Sequence, residues 1–323
     1  MHKNLVFQSD TFKEINGIPF AMKRNLISML DVKDDLESII DLGINLKRKS
    51  KSGISIESLK GKTLGMIFEK SSTRTRVSFE VGMTKLGGHA VFLSKNDLQL
   101  GRGETIEDTA LVLSRYCDIL MYRAMSNEAM KELAKYSTVP VISGLDDKEH
   151  PCQIVTDLMT IKEHKGKLNG LNFVYIGDGG NNMAHSYLLG CAIVGMNIKI
   201  ISPKNHWPDD FYVKEAKKYD IELEVTDEIE NCTKNADIVA TDTWISMGDE
   251  KEKEKRIRDF NGFTVDEKLM SLAKSDAIFL HCLPAYYGYE VTKEVAHGKH
   301  SVIFDEAENR LWAQIAIIVT LMK

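Results

Sequence analysis

Short, almost wholly apolar runs alternate along the chain with longer stretches whose apolar residues recur at helical spacing. TLGMIF at 63–68, HAVFL at 89–93, DILMYR at 118–123 and VPVISG at 139–144 are runs of strand length. Such runs suit strands covered on both faces. Amphipathic stretches at 31–49, 73–86 and 105–116 lie before and between them. The second half repeats the pattern: strands at 172–177, 197–202, 221–225, 237–241 and 277–282, with a helix over 183–194. A helix over 151–165, opened by Pro151, lies between the halves. Proline suits a first helical position, where its missing N–H would be unpaired anyway. A last helix is expected over 307–322. Strands alternating with helices predict parallel sheets. The expectation is an α/β chain of two doubly wound parallel-sheet domains linked by helices. They cover residues 1–150 and 151–306, and a C-terminal helix at 307–323 packs back on the first. Ligands in such folds gather at the carboxyl ends of the strands.

Composition narrows the partners. With 43% hydrophobic and 28% charged residues, the 323-residue chain is of ordinary globular make-up. A net charge of −5 leaves no bulk basic surface for nucleic acid, so any anion site must be local. No apolar run approaches the roughly 20 residues that span a bilayer. The N-terminal MHKNLVFQSDTFKE has no long apolar segment and no cleavage-like site, so no signal peptide is expected. Cys117, Cys152, Cys191, Cys232 and Cys282 form no C-x-x-C pair. Neither a zinc site nor a disulfide framework is expected, and the reducing cytoplasm fits best.

The densest hydrogen-bonding stretch is FEKSSTRTRVSFE at 68–80, between an expected strand and an expected helix. A helix N-terminus offers unpaired N–H groups and partial positive charge, so it attracts phosphate. The hydroxyls of Ser72, Thr73 and Thr75 add donors, and Arg74 adds a two-pronged contact to phosphate oxygens. The plainer alternative is a capped helix start with two solvated arginines. A Walker loop is excluded, because Ile56 stands where GKT at 61–63 needs an upstream glycine.

The other constellations are weaker one by one. In EHPCQ at 149–153, His150 precedes the helix-starting proline, and with Gln153 it can reach one ligand oxygen; alone, it reads as a turn histidine. GDGGNN at 177–182 is half a dinucleotide fingerprint, but Asn182 replaces the third glycine and no acid follows the next strand, where Ser202 and Pro203 stand. Both absences weaken a nicotinamide-dependent oxidoreductase. In DTWISMG at 242–248, Asp242 ends a strand and a glycine-bearing loop follows as a mobile lid. The charged run at 249–258 reads as a solvated helix face. In HCLP at 281–284, Cys282 ends an apolar strand. Acids at 305 and 306 match the dipole of the last helix, but Arg310 does not follow from that logic.

In order along the chain, FEKSSTRTRVSFE, QLGRGET, HPCQ, GDGGNNMAHS, DTWISMG, HCLP and FDEAENRL resemble the signatures of the aspartate/ornithine carbamoyltransferase family. The SMG loop and the HCLP cysteine resemble its ornithine branch; STRT and HPxQ mark the wider family. The resemblance implies transfer of the carbamoyl group of carbamoyl phosphate to the δ-amine of L-ornithine, in arginine metabolism. The first domain would bind carbamoyl phosphate and the second ornithine. Ser72, Thr73, Arg74 and Thr75 would hold carbamoyl phosphate, with Arg123, His150 and Gln153 at its carbamoyl end. Gln99 would reach a neighbouring subunit's site, and Arg310 would contact carbamoyl phosphate from the last helix. Asn182, Asp242, Ser246 and Met247 would bind ornithine, with Cys282 and Leu283 at the reacting amine. Arg74, Arg123, His150, Cys282 and Asp242 would carry the chemistry, while Arg76 would be structural or an interface contact. The resemblance further implies a homotrimer, or a multiple of trimers, with no metal and no organic cofactor. The chain departs from many relatives at Asn127, Asp249, Tyr286, Tyr287 and Trp312, and lacks a long insertion after HCLPA; no assigned ligand is replaced. Carbamoyl transfer to putrescine or aspartate is the nearest alternative reading, and a non-catalytic binding protein of the same fold is another.

Overall fold

The computed structural model describes residues 23–245 and 250–323. A 3-10 turn, Met29–Val32, is closed by a capping box: the Ser28 side chain accepts an N–H from the turn, and Asp31 accepts the Ser28 N–H. Helix α1 (Leu36–Lys51) follows, so the helix expected from 31 begins five residues later. Then come β1 (Thr63–Phe68), α2 (Thr73–Lys85), β2 (His89–Ser94), a 3-10 turn at Gln99–Arg102, α3 (Ile106–Leu113), β3 (Ile119–Arg123), α4 (Asn127–Tyr136) and β4 (Val141–Leu145). Helix α4 has no counterpart among the expected elements. The strands form one parallel sheet in the order β2-β1-β3-β4. The central strands β1 and β3 are buried almost throughout, which explains their unbroken apolar sequence.

Helix α5 (Pro151–Lys165) leads into β5 (Asn172–Ile176), α6 (Asn182–Ile193), β6 (Asn197–Ile201), α7 (Asp210–Ala216), β7 (Leu223–Thr226), β8 (Ile238–Ala240), α8 (Lys253–Asp259), α9 (Glu267–Leu272), β9 (Ile278–Leu280), α10 (Lys293–Ala296) and α11 (Ile303–Leu321). These strands form a second parallel sheet, β7-β6-β5-β8-β9. The fold is therefore two parallel-sheet α/β units, as the pattern predicts. Helix α5 is buried continuously from Pro151 to Ile161, and α11 packs against it and against α1 and α2. The largest apolar cluster, running from Leu26 to Leu321, crosses both sheets through these helices, and a smaller cluster lies on each sheet.

Each sheet reverses its strand order once, between β1 and β3 in the first and between β5 and β8 in the second. Crevices open at such switch points, outside the carboxyl ends of the strands. Here the two crevices share one cleft.

Candidate active site

The cleft encloses about 730 Å³ and is lined by the end of β3 and by the segments that follow β1, β4, β5, β6, β8 and β9. That volume suits two small metabolites together.

One wall is cationic. The Ser72 hydroxyl caps α2 by accepting the Thr75 N–H at 3.2 Å, and residues 70–74 line the cleft. Arg74 Nη2 donates to the Leu283 carbonyl, across the cleft, at 2.8 Å. Arg123 ends β3, and its Nη1 approaches the Gly144 carbonyl only at 3.5 Å. Arg310 reaches the same space from α11. Burial, and then repulsion from Arg310, lower the pKa of Arg74 and bring that of Arg123 to about 10. His150 is fixed by its backbone N–H, which donates to Ser186 Oγ at 2.8 Å. Burial, then Arg310 and Arg123, hold its imidazole neutral, well below the usual histidine range. Arg74 Nε, Arg123 Nε and His150 Nδ1 are buried without a hydrogen-bond partner among the described residues. Three guanidiniums, a helix N-terminus and buried N–H donors left over by the fold make an anion site.

The facing wall is built on Asp242. Its carboxylate accepts from Cys282 Sγ at 3.3 Å and from Asn181 Nδ2 at 3.4 Å. Burial raises the Asp242 pKa. Burial, and then the Asp242 charge, push the Cys282 thiol well up, so it is protonated and donates. Asn181 also caps α6, accepting the Ala184 N–H at 2.8 Å, and donates to the Tyr175 hydroxyl at 3.1 Å. Asn182 Nδ2 donates to the Asp146 carbonyl at 2.7 Å. The GDGGNN segment is thus a strand-to-helix turn. Gly177 takes φ +143°, which side chains disfavour, and a Cβ there would lie 3.3 Å from Thr241 Oγ1.

Two leucines at the cleft hold positive φ, Leu145 at 139° and Leu283 at 60°. Such residues cost about 1 kcal/mol or more and persist only where their surroundings over-determine them. At Leu283 the surroundings are visible. Its N–H donates to His281 Nδ1 at 2.9 Å, and its carbonyl accepts from Arg74. With Nδ1 accepting, the His281 proton sits on Nε2 and points at Glu290 Oε1, 3.2 Å away. Asp242, His281 and Cys282 bring their polar atoms within 4.8 Å of one another. Both imidazole nitrogens are already engaged, by the Leu283 N–H and by Glu290, so this donor set does not suit a metal.

The comparisons with known proteins agree on one family. The aspartate/ornithine carbamoyltransferase carbamoyl-P binding domain matches residues 24–163, and the same family's Asp/Orn binding domain matches residues 169–321. The chain belongs to the aspartate/ornithine carbamoyltransferase family. It is 53% identical over 303 residues to an ornithine carbamoyltransferase of Methanosarcina acetivorans, covering 94% of this chain and all of that one. It is also 53% identical to one of Caldicellulosiruptor saccharolyticus, over 92% of this chain and 97% of that one. The ornithine carbamoyltransferase structure from Pyrococcus furiosus superposes with a TM-score of 0.88 at 45% identity, covering 92% of this chain and 96% of that one.

The residues expected from the carbamoyltransferase signatures fall into three groups. Ser72, Thr73, Arg74, Arg123, His150, Asn182, Asp242, Cys282, Leu283 and Arg310 all line the cleft. Ser246 and Met247 lie outside the described residues. Thr75, Gln99 and Gln153 do not line the cleft of their own chain. Thr75 is buried in the first turn of α2, its hydroxyl without a partner among the described residues. Gln99 is exposed on its 3-10 turn. Gln153 is buried, and both ends of its amide are engaged: Nε2 donates to Asp157 and Glu306, and Oε1 accepts from Arg310. The charged run at 249–258 is not wholly a solvated face. Arg256 is buried, donating to the Trp244 carbonyl and pairing with Asp178. No local pattern marks it out among its charged neighbours. Arg76 lies over the Phe92 ring at 3.7 Å and pairs with Glu80.

Proposed function

We infer that this chain transfers the carbamoyl group of carbamoyl phosphate to the δ-amine of L-ornithine, giving L-citrulline and phosphate. The observation that carries the reading is a single cleft divided between an arginine-rich wall at a helix N-terminus and an acidic wall around Asp242. Relatives 51–53% identical across 94% of the chain, named ornithine carbamoyltransferase, support the choice of amine.

In this reading the phosphate sits on the start of α2, held by Ser72, Thr73, Arg74 and Thr75. Arg310 supports it, and Gln99 arrives from a neighbouring subunit. The carbamoyl end lies against Arg123 and His150, with Gln153 behind them bonded to Arg310. Ornithine is held by Asn182, Asp242, Ser246 and Met247, with its δ-amine at Cys282 and Leu283. Attack on the carbonyl carbon places negative charge on its oxygen. Fixed donors aimed there lower the barrier by about 3 kcal/mol each. Thr75, Arg123 and neutral His150 are those donors. Arg74 and the helix terminus stabilise the departing phosphate.

We further propose that the enzyme is a homotrimer, or a multiple of trimers, whose sites are completed by the neighbour's Gln99. We place it in the cytoplasm, in keeping with its five free thiols, and in arginine biosynthesis. Assays of carbamoyl phosphate with ornithine, putrescine or aspartate, following phosphate release and carbamoylated product, test the function. Ornithine should be the preferred acceptor by a wide margin; preference for either of the others overturns the assignment.

A further inference from the structure

Glu306 does not line the cleft, yet it is tied to both walls. It lies on α11, four residues before Arg310, and is almost fully buried. Its Oε2 accepts the backbone N–H of His281, the residue that opens the Cys282–Leu283 turn, at 2.9 Å. Its Oε1 accepts from Gln153 Nε2 at 2.9 Å. The Gln153 oxygen accepts from the Arg310 guanidinium. The second acceptor for Gln153 Nε2 is Asp157 Oδ1 at 2.7 Å, and Asp157 Oδ2 accepts the Tyr187 hydroxyl at 2.6 Å. These partners fix the Gln153 amide one way round, nitrogen toward the two acids and oxygen toward Arg310.

We propose that Glu306 is a positioning residue for the transfer reaction. One carboxylate sets the backbone of the His281–Cys282 turn on the amine wall. Through Gln153 it also sets the Arg310 guanidinium on the phosphate wall, so the two reacting ends are held in register. The assignment rests on the function inferred above. Two N–H donors from different parts of the chain converge on Glu306, and only a group with two acceptor oxygens satisfies both. An amide offers one oxygen; turned either way, its NH₂ faces a donor. Asp157 differs. Its second partner is a hydroxyl, which can rotate and accept from an amide. Burial and the neighbouring Asp157 push the Glu306 carboxyl well up, so Glu306 is the proton-holding member of this hydrogen-bonded pair. Glu306→Gln and Asp157→Asn are therefore matched amide replacements in one buried cluster, yet only the first leaves donor facing donor.

The test is steady-state kinetics of wild type, Glu306→Gln and Asp157→Asn with carbamoyl phosphate and ornithine, together with thermal melts. A misplacement near 1 Å costs about 100-fold in turnover. Glu306→Gln should therefore lose kcat on the order of 100-fold. The KM for each substrate should stay within about threefold, because the α2 cradle and the Asn182 turn are untouched. Asp157→Asn should keep kcat within about threefold of wild type. Three results overturn the proposal: near-wild-type kcat in Glu306→Gln, equal losses in both variants, or a Glu306→Gln protein that fails to fold. The last would make Glu306 a core residue only. Absence of transfer by wild type would instead overturn the function and is read separately.

Discussion

Removing the Arg74 side chain is the sharpest test of the cationic wall. Arg74 stands in the first turn of α2, donates to the Leu283 carbonyl at 2.8 Å, and keeps its Nε buried and unpaired among the described residues. In the proposed complex a two-pronged contact with phosphate uses the remaining donors. Hydrogen bonds to charged groups are each worth about 1.5–3 kcal/mol. Two of them come to about 3–6 kcal/mol, and at about 1.36 kcal/mol per tenfold Arg74→Ala should lose roughly 10²–10⁴ in kcat/KM. Charge on the phosphate grows as the bond to the carbamoyl carbon breaks, so most of the loss should fall on kcat rather than KM. The fold should hardly change. Alanine is the better helix former, and the substitution removes a half-buried cation crowded by Arg310. Arg74→Lys keeps the charge but not the fork, so it should lie between wild type and alanine. Phosphate release at saturating ornithine, measured beside a thermal melt, decides the matter. A folded Arg74→Ala enzyme within tenfold of wild-type kcat/KM would refute the assignment.

Three further outcomes follow from buried charges. Burial lifts the Glu149 carboxyl to a pKa of about 7, against an opposing N–H from Met29. A raised acid stabilises the fold fully below its unfolded pKa and loses that contribution as pH rises through the folded value. Wild type should thus lose up to about 3 kcal/mol of stability between pH 4.5 and 8, and Glu149→Gln should flatten that stretch of the curve; parallel denaturation curves would contradict this. Cys282, raised by burial and Asp242, should be alkylated by iodoacetamide at a rate still climbing at about pH 9.5, whereas a plateau near pH 8 by mass spectrometry would show a free thiolate. Arg256→Ala should cost about 3–5 kcal/mol in urea unfolding by leaving Asp178 buried and unpaired, and an unchanged midpoint would return α8 to the solvated face first expected.

Strands such as 63–68 and 118–123 were legible because burial on both faces leaves an unbroken apolar run. The last two strands of the second sheet are shorter than their apolar runs. The 277–282 run ends its strand at Leu280, because the next residue's backbone N–H turns aside to Glu306. Helix α4 carried a readable signal, Ser126 accepting the Ala129 N–H ahead of NEAMKELAKY. The start of α2 was legible as an anion-seeking helix terminus, since capping and dipole are local properties. What no local pattern holds is convergence. Arg74 meets Leu283 across 209 residues, and Arg256 meets Asp178 across 78. Left-handed leucines run against intrinsic preference, so no local pattern foretold the backbone at Leu145 or Leu283. Gln153 shows the limit from the other side. The motif marks it as a ligand, yet the fold engages its amide with Asp157, Glu306 and Arg310.

The two walls act on the same proton. A lysine-like amine has a pKa of about 10.4, so near pH 7 only about one ornithine in 2,500 presents a neutral nucleophile, a deficit of roughly 4.6 kcal/mol. Asp242, raised by burial, is a better proton acceptor than an ordinary aspartate, which narrows the gap from below. Facing it, Arg74, Arg123 and Arg310 disfavour an ammonium in the cleft and narrow the gap from above. The Cys282 thiol stands beside Asp242 as a donor, so it stabilises the carboxylate and is no base while protonated. His150, held neutral, can donate a hydrogen bond to the carbamoyl oxygen but has no second proton to give. Of Asp242, Cys282 and His150, we propose that Asp242 takes the amine proton. In the same proposal Cys282 would orient the carboxylate, and the arginines would supply the electrostatic pressure on the ammonium.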